Sequence, residues 1–455
     1  MMKYRLICLL ALVLAMTGCS SGDEDPGVEN MSLFGVTIDG VNANTNPEQI
    51  PGNTVIQLNF STGLDQQAFR NAVSITDGSG AVPMQVSFSN ASATARITLS
   101  DLQPLKEHTF QLRSGKLGAK GEQLPQAVTF TFTTAAEAGY SACTTGTAEC
   151  LRTMTIDVNG SNYEMQYYSN YDIDGDPEFV WSDLENLVVV VHGQNRDADN
   201  YFRIMNQTIA GTALHGKTLV VAPYFKDAAA ANANALFWGS NWRFGADTGN
   251  TGAALSSFAV VDEMISRFSE TARFPNMNTV FVTGHSSGAS FSHYYGISSG
   301  ITAQHPDLNF EFSVLNSQYF FYPTDYRFDE GTGQWYIPSG CAGFDYWPYG
   351  YKVAPAYLQT TDKNAVVQRL GSVNMVLFHG ENDTSTTGTL NTNDCEAVLL
   401  GSDRLERGRN YNNYLNTYFP ANNCDFTIVP NAAHDAGAMY GSEAFTQYLE
   451  ARISN

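Results

Sequence analysis

A serine stands between two glycines in Gly284-His285-Ser286-Ser287-Gly288, directly after a run of β-forming residues at 280–283 and before a helix-compatible stretch at 289–295. The glycines permit a sharp strand-to-helix turn that lifts the Ser286 hydroxyl to the head of the helix. Backbone N–H groups there can face a developing oxyanion. A hydroxyl is a poor nucleophile near neutral pH, so it needs a base, and the base needs an acid to orient it. The segment His379-Gly380-Glu381-Asn382-Asp383-Thr384 follows an apolar run at 375–378. It places a carboxylate just past the strand's carboxyl end, where α/β active sites form. Asp383 is the first candidate, and Glu381, nearer the strand, is its competitor. After the run at 426–429 comes Pro430-Asn431-Ala432-Ala433-His434-Asp435, and His434 is the only histidine beyond position 379. It is the candidate base.

Bringing three distant residues together requires a sheet whose strands end side by side. Unbroken apolar runs at 187–191, 219–222, 280–283, 312–315, 375–378 and 426–429 alternate with helix-compatible segments. Unbroken runs mark strands covered on both faces, so the reading is α/β, with a doubly wound, mostly parallel sheet over residues 153–455. Earlier in the chain the pattern has period 2: Ile56, Leu58, Phe60; Met84, Val86, Phe88; Ala95, Ile97, Leu99; Val128, Phe130, Phe132. Such half-buried strands, broken by turns such as Asp77-Gly78-Ser79-Gly80, predict a small all-β sandwich over residues 31–135. The segment resembles bacterial Ig-like domains. It carries no catalytic-looking cluster, which favours a spacer over a glycan-binding module. Residues 136–152, small and polar, read as a linker.

Lys plus Arg number 24 against 45 Asp plus Glu, a net charge of −21. Such a chain is repelled by phosphate backbones, which argues against a nucleic-acid partner. A hydrophobic fraction of 43% suits packed cores. Lys3 and Arg5 precede an apolar run at 6–16 that is too short to cross a bilayer as a helix, and the run ends in Met16-Thr17-Gly18-Cys19. This resembles a bacterial lipoprotein signal. It implies a signal peptide at 1–18, lipidation of Cys19, a tether at 19–30, and an exported protein held at the outer membrane or cell surface by its lipid alone.

Setting aside Cys8 and Cys19 leaves Cys143, Cys150, Cys341, Cys395 and Cys424, an odd number in a compartment where disulfides persist. Cys143–Cys150 closes a short loop. Cys395 follows the acid loop and Cys341 lies in an insertion on the same side, whereas Cys424 precedes the last strand at the opposite end. A helix of about 15 to 20 residues between 395 and 424 rises about 22–30 Å, and a disulfide needs Cα atoms within about 7 Å. Cys341–Cys395 is therefore expected, with Cys424 a buried free thiol.

In order, His192-Gly193, Gly284 to Gly288, His379-Gly380 with Asp383, and His434 resemble the α/β-hydrolase superfamily from about 185 to 450. The stretches 274–276, 345–350 and 404–407 look more narrowly like secreted esterases and polyester depolymerases. The resemblance implies the chain order Ser, acid, His. It also implies an oxyanion hole from the N–H groups of Ser287 and of Gln194, with Asn195 second to Gln194. It implies a cap between the fourth and fifth of these runs, read as residues 318–366. That insertion is crowded with aromatics in a chain that is 12% aromatic. Tyr319, Trp335, Tyr346 and Trp347 are expected either to wall a substrate pocket or to pack the cap's own core. Asp172-Ile173-Asp174-Gly175-Asp176-Pro177-Glu178 has acid spacing suggestive of Ca²⁺, but its glycine comes one position early and Pro177 breaks the loop, so a solvated acidic turn is expected. No Cys or His pair has zinc spacing, and neither metal nor cofactor is expected. The expected activity is hydrolysis of a carboxylic ester, on a polysaccharide or a phenolic, through an acyl-enzyme. A peptidase, a polyester depolymerase, and a surface glycan-binding protein with an inactive hydrolase domain are the alternatives.

Overall fold

The computed structural model describes residues 29–453 apart from 44–46, 48–49, 79, 101, 104–105, 135–141, 176–178, 233, 251, 253 and 360. Cys19, the signal segment and most of the tether lie outside the described residues, as do Asp176, Pro177 and Glu178. No helix among the described residues is long and apolar enough to cross a membrane.

The N-terminal part is all-β apart from the short helix Gln66–Ala72. Strands Leu33–Ile38, Val41–Asn42, Thr54–Phe60, Gln85–Ser89 and Thr94–Leu99 form one antiparallel sheet, and Val73–Thr76, Glu107–Leu112 and Val128–Thr133 form a second. The period-2 pattern does what it should. Ile56, Leu58, Phe60, Ile97 and Leu99 are buried, and Phe110 and Phe130 stack at 4.7 Å in the same core.

The rest is built on an eight-stranded sheet: β1 (Leu151–Val158), β2 (Ser161–Ser169), β3 (Asn186–Val191), β4 (Thr218–Pro223), β5 (Thr279–His285), β6 (Asn309–Leu315), β7 (Met375–Gly380) and β8 (Cys424–Val429). Their spatial order is β1-β2-β4-β3-β5-β6-β7-β8. β1 and β2 run antiparallel, and β4 through β8 are mutually parallel. This is a doubly wound, mostly parallel α/β sheet. β3, β4 and β5 are buried at every position, as strands covered on both faces must be.

Helices supply that cover: α1 (Ala198–Ile209), α2 (Ser257–Phe268), α3 (Ser287–Ser298), α4 (Lys363–Ser372), α5 (Arg404–Tyr418) and α6 (Glu443–Ile453). Val188 and Val190 share a core with Phe202 of α1 and Phe445 of α6. Val189 and Val191 share the opposite one with Phe258 of α2, Phe291 of α3 and Tyr411 of α5. Ser256 caps α2 by accepting from the Phe258 N–H, and Asp403 caps α5 by accepting from the Glu406 N–H.

The linker reading of 136–152 needs correction at its C-terminal end. Residues 148–150 form a turn of helix and Leu151 and Arg152 already belong to β1. The β1–β2 hairpin turns at Asn159-Gly160, both with positive φ, a local signal for such a hairpin. Its alternating burial, with Met154, Ile156 and Val158 inside, differs from the unbroken runs that marked the other strands.

Between β6 and β7 lies the insertion, with a hairpin of Arg327–Asp329 and Gln334–Tyr336. Its hub is not an aromatic but the fully buried Arg327. That guanidinium donates to the backbone carbonyls of Thr324, Tyr326, Phe344 and Tyr349 and lies over the Tyr322 ring at 4.5 Å.

Candidate active site

β5 runs straight into α3, and Ser286 sits on the corner with φ 60° and ψ −114°. A non-glycine residue adopts that conformation only where its surroundings impose it, and here two glycines allow them to. A Cβ on Gly284 would lie 2.1 Å from the Gly288 backbone, and one on Gly288 would lie 2.1 Å from the Val191 carbonyl oxygen. The head of α3 is thus pressed against the ends of β5 and β3, and the Ser286 N–H bonds the Leu315 carbonyl at 3.0 Å.

The loops after β7 and β8 deliver the other two groups. His434 Nε2 lies 3.0 Å from Ser286 Oγ, and His434 Nδ1 lies 2.8 Å from Asp383 Oδ2. Asp383 is buried, whereas His434 keeps a quarter of its side chain exposed. Glu381 points elsewhere: its Oε2 accepts from the Asn431 N–H at 2.9 Å and so braces the turn before His434. An imidazole bonded to a buried carboxylate on one side and a hydroxyl on the other can take the hydroxyl proton while the carboxylate fixes its tautomer.

Three supporting residues were given no role from the sequence, although Arg404 lies in the stretch 404–407 singled out there. Arg404, on the first turn of α5, is buried with Nη1 3.6 Å from Asp383 Oδ1 and Nη2 donating to Thr389 Oγ1 at 2.8 Å. Burial lowers its pKa, and the Asp383 charge opposes that shift. Asn316, just past β6 at φ 56°, accepts from the Gly380 N–H at 2.7 Å and donates to the Ala433 carbonyl at 3.0 Å. It thereby ties the end of β7 to the loop that carries His434. Its Nδ2 also meets His285 Nε2 at 3.3 Å. His285 is buried under His434 with ring centroids 4.6 Å apart, and burial, then the neighbouring His434 and Arg404, hold its pKa well below the ordinary value.

The third is Arg243, on the short turn Ser240–Phe244, whose Nη1 lies 3.0 Å from Ser287 Oγ. Nothing in the sequence marked it, since an isolated arginine in a loop reads as a solvated charge.

Ser287 opens α3, so its N–H has no partner within the helix. The loop after β3 folds into a turn closed by Arg196 N–H to the Gly193 carbonyl at 3.2 Å, with Gln194 and Asn195 at the tip. It stands beside Ser286 because Val191 and Gly284 are paired in register. His192 anchors it as a neutral ring. Nδ1 lies 2.8 Å from the Gly193 carbonyl, Nε2 accepts from the Phe225 N–H at 3.1 Å, and burial pulls the pKa down to about 4.

The aromatic residues of the insertion separate. Tyr319 is buried with its ring 5.2 Å below the Arg243 guanidinium, beside Ser287. Trp347 packs on Tyr294 and Phe321 and donates from Nε1 to the Phe244 carbonyl at 2.9 Å. Trp335 stacks edge-on against Phe328 and packs against Tyr414 and Tyr418, away from the residues around Ser286, and Tyr346 is 45% exposed. Most of these rings pack the insertion and α5 rather than the site.

The disulfides Cys143–Cys150 and Cys341–Cys395 are formed, with Cα separations of 5.3 and 5.9 Å, and Cys424 is free. It is half-buried, and burial pushes its thiol up to about 12. Cys341, Cys395 and Glu396 cluster closely enough to suggest a metal site, but the two sulfurs are bonded to each other. Asp172 pairs with Arg152 at 3.4 Å, and Asp174 pairs with Arg267 and accepts from the Tyr167 hydroxyl.

Residues 35–134 match the bacterial Ig-like domain family. No curated protein matches the chain. Among solved structures, the chain is similar to a poly(aspartic acid) hydrolase-1 from Sphingomonas sp. KT-1, at 19% identity and TM-score 0.44, covering 67% of this chain and 98% of that one. It is similar to a poly(3-hydroxybutyrate) depolymerase from Bordetella parapertussis, at 19% identity and TM-score 0.46, covering 67% and 94%. It is also similar to a fluorophosphonate-binding serine hydrolase from Staphylococcus aureus, at 14% identity and TM-score 0.33, covering 67% and 96%.

Proposed function

We propose that the protein hydrolyses carboxylic esters outside the cell, with Ser286 as nucleophile, His434 as base and then acid, and Asp383 as the group that orients the imidazole. The observation that carries this reading is the unbroken chain Ser286 Oγ, His434 Nε2, His434 Nδ1, Asp383 Oδ2, at 3.0 and 2.8 Å, built from the loops after β5, β8 and β7. Ser286 Oγ attacks the acyl carbon as His434 Nε2 takes its proton. The resulting oxyanion is held by the N–H groups of Ser287 and Gln194. His434 then returns the proton to the leaving alkoxide, and water, deprotonated by the same imidazole, releases the acid from the acyl-enzyme. The two disulfides and the Ig-like domain fit an extracellular setting, with Cys19 as the lipid attachment and the Ig-like domain as a spacer.

The test uses the ectodomain beginning after Cys19. It should label with a fluorophosphonate probe and hydrolyse at least one of a panel of acetyl, feruloyl and long-chain esters. Ser286→Ala should lose labelling and retain no more than the roughly 10³-fold acceleration over water that binding and the oxyanion hole supply. Turnover above a tenth of wild type in that variant sinks the assignment.

A further inference from the structure

We propose that Arg243 makes this site selective for esters that carry a carboxylate within a few bonds of the scissile carbonyl. The inference rests on the hydrolase reading above and narrows its substrate.

Arg243 stands next to the nucleophile. Its Nη1 is 3.0 Å from the hydroxyl of Ser287, the residue whose N–H faces the oxyanion. Its guanidinium sits over the corner made by two mutually perpendicular rings, 5.0 Å from the Phe244 centroid and 5.2 Å from that of Tyr319. A planar cation packed against aromatic rings loses little further freedom on binding and keeps its in-plane N–H groups for a ligand.

Those groups are underused. Arg243 Nε is buried and makes no hydrogen bond among the described residues, and no acid of the described residues lies within ion-pair distance of it. Among the described residues Arg327 and Arg404 also leave Nε without a hydrogen bond, but each has its charge or its other nitrogens engaged. Arg327 bonds four backbone carbonyls, and Arg404 lies against Asp383. A buried donor without a partner calls for an explanation, and a carboxylate accepting from two guanidinium nitrogens supplies one.

The local field agrees. A second guanidinium, Arg196, bonds the carbonyls of Phe225, Trp238 and Gly239 and stands close enough to Arg243 for the two charges to repel. Asp227 offsets part of the Arg196 charge, and the Arg243 cation beside Ser287, in a chain of net charge −21, makes a local positive potential that favours an anionic ligand.

The experiment compares matched esters on the intact ectodomain. The pairs are p-nitrophenyl hemisuccinate against p-nitrophenyl butyrate, for a carboxylate on the acyl side, and 4-acetoxybenzoate against phenyl acetate, for one on the alcohol side. The wild type should favour the carboxylate member of at least one pair by roughly ten- to a hundredfold in kcat/KM, after correction for the intrinsic reactivity of each ester. In Arg243→Met that ratio should collapse towards one, and in Arg243→Lys it should survive in part. No preference in the wild type overturns the proposal without any variant. A preference that persists in Arg243→Met overturns it as well. Failure of the hydrolase reading has a different signature: the wild type would turn over neither member of either pair and would not label with fluorophosphonate.

Discussion

The contest between two acids two positions apart turns on where each carboxylate points. Asp383 reaches His434 Nδ1, and Glu381 spends its oxygen on the Asn431 N–H. Asp383→Asn should therefore cost roughly 10³- to 10⁴-fold in turnover by favouring the wrong imidazole tautomer. Glu381→Gln, which can still accept that backbone bond, should cost less than tenfold. Steady-state kinetics of the two variants decide it, and the reverse ranking would move the role to Glu381. Ser286, Asp383 and His434, which the structure brings together, were legible because a serine elbow and two post-strand loops each leave a local mark. Arg404, Asn316 and Arg243 were not. Arg404 is a helix residue and Asn316 follows a strand, and nothing in their neighbours along the chain announces that one will lie against Asp383 and the other will join β7 to the His434 loop. Their roles exist only once distant segments meet.

At the level of elements, the junction of β3, β5 and α3 is the tightest in the molecule's active region. Gly288→Ala places a methyl on the Val191 carbonyl and should push α3 away from the sheet. We expect a loss of about 1–3 kcal/mol in stability, read by urea unfolding, together with a fall in turnover larger than that destabilisation explains, because the Ser286 to His434 distance changes with it. Unchanged activity would show that the elbow tolerates the shift. The parallel strands were readable because burial on both faces leaves no polar position inside the run. β1 and β2 were not, since each buries one face only and they follow a stretch that looks like linker. Cys341–Cys395 joins the insertion to the segment just after the acid loop across 54 residues. Its removal by Cys341→Ser with Cys395→Ser should cost up to about 4 kcal/mol on a chain-entropy basis. Amide exchange should rise first in residues 318–366 and around Asp383, leaving β3 to β6 protected; uniform exchange across the sheet would contradict that localisation.

Across the whole molecule, histidines whose pKa is lowered by burial set the acid limit. Burial lowers His192 and His379 to about 4 and His293 to about 3, from 6.5, and holds His285 well below its ordinary value. Between those values and 6.5 the unfolded chain binds protons that the native chain refuses, so stability falls as the pH drops through that window. For His192 or His379 the full fall is roughly 3 kcal/mol. Glu311, raised to about 6 by burial, works in the opposite direction between 4.5 and 6. Asp39 and Asp247, also raised by burial, oppose the histidines too, but His215 is lowered as well, which leaves five imidazoles against three carboxyls. Urea midpoints should decline steadily from pH 7 to pH 4.5, and a flat or rising series would mean the imidazoles are not shielded as described. The odd cysteine has a consequence for how the chain matures. In the unfolded polymer Cys395 meets Cys424 across about 30 residues and Cys341 across 54, so ring closure favours the wrong pair roughly two- to threefold. Cys424 opens β8 opposite Met375, at the end of the sheet away from the acid loop, so the correct bond follows only once β8 has docked. Oxidation that outruns docking strands the chain in the wrong covalent isomer, and yield from an oxidising compartment becomes a race between thiol chemistry and assembly of the last strand.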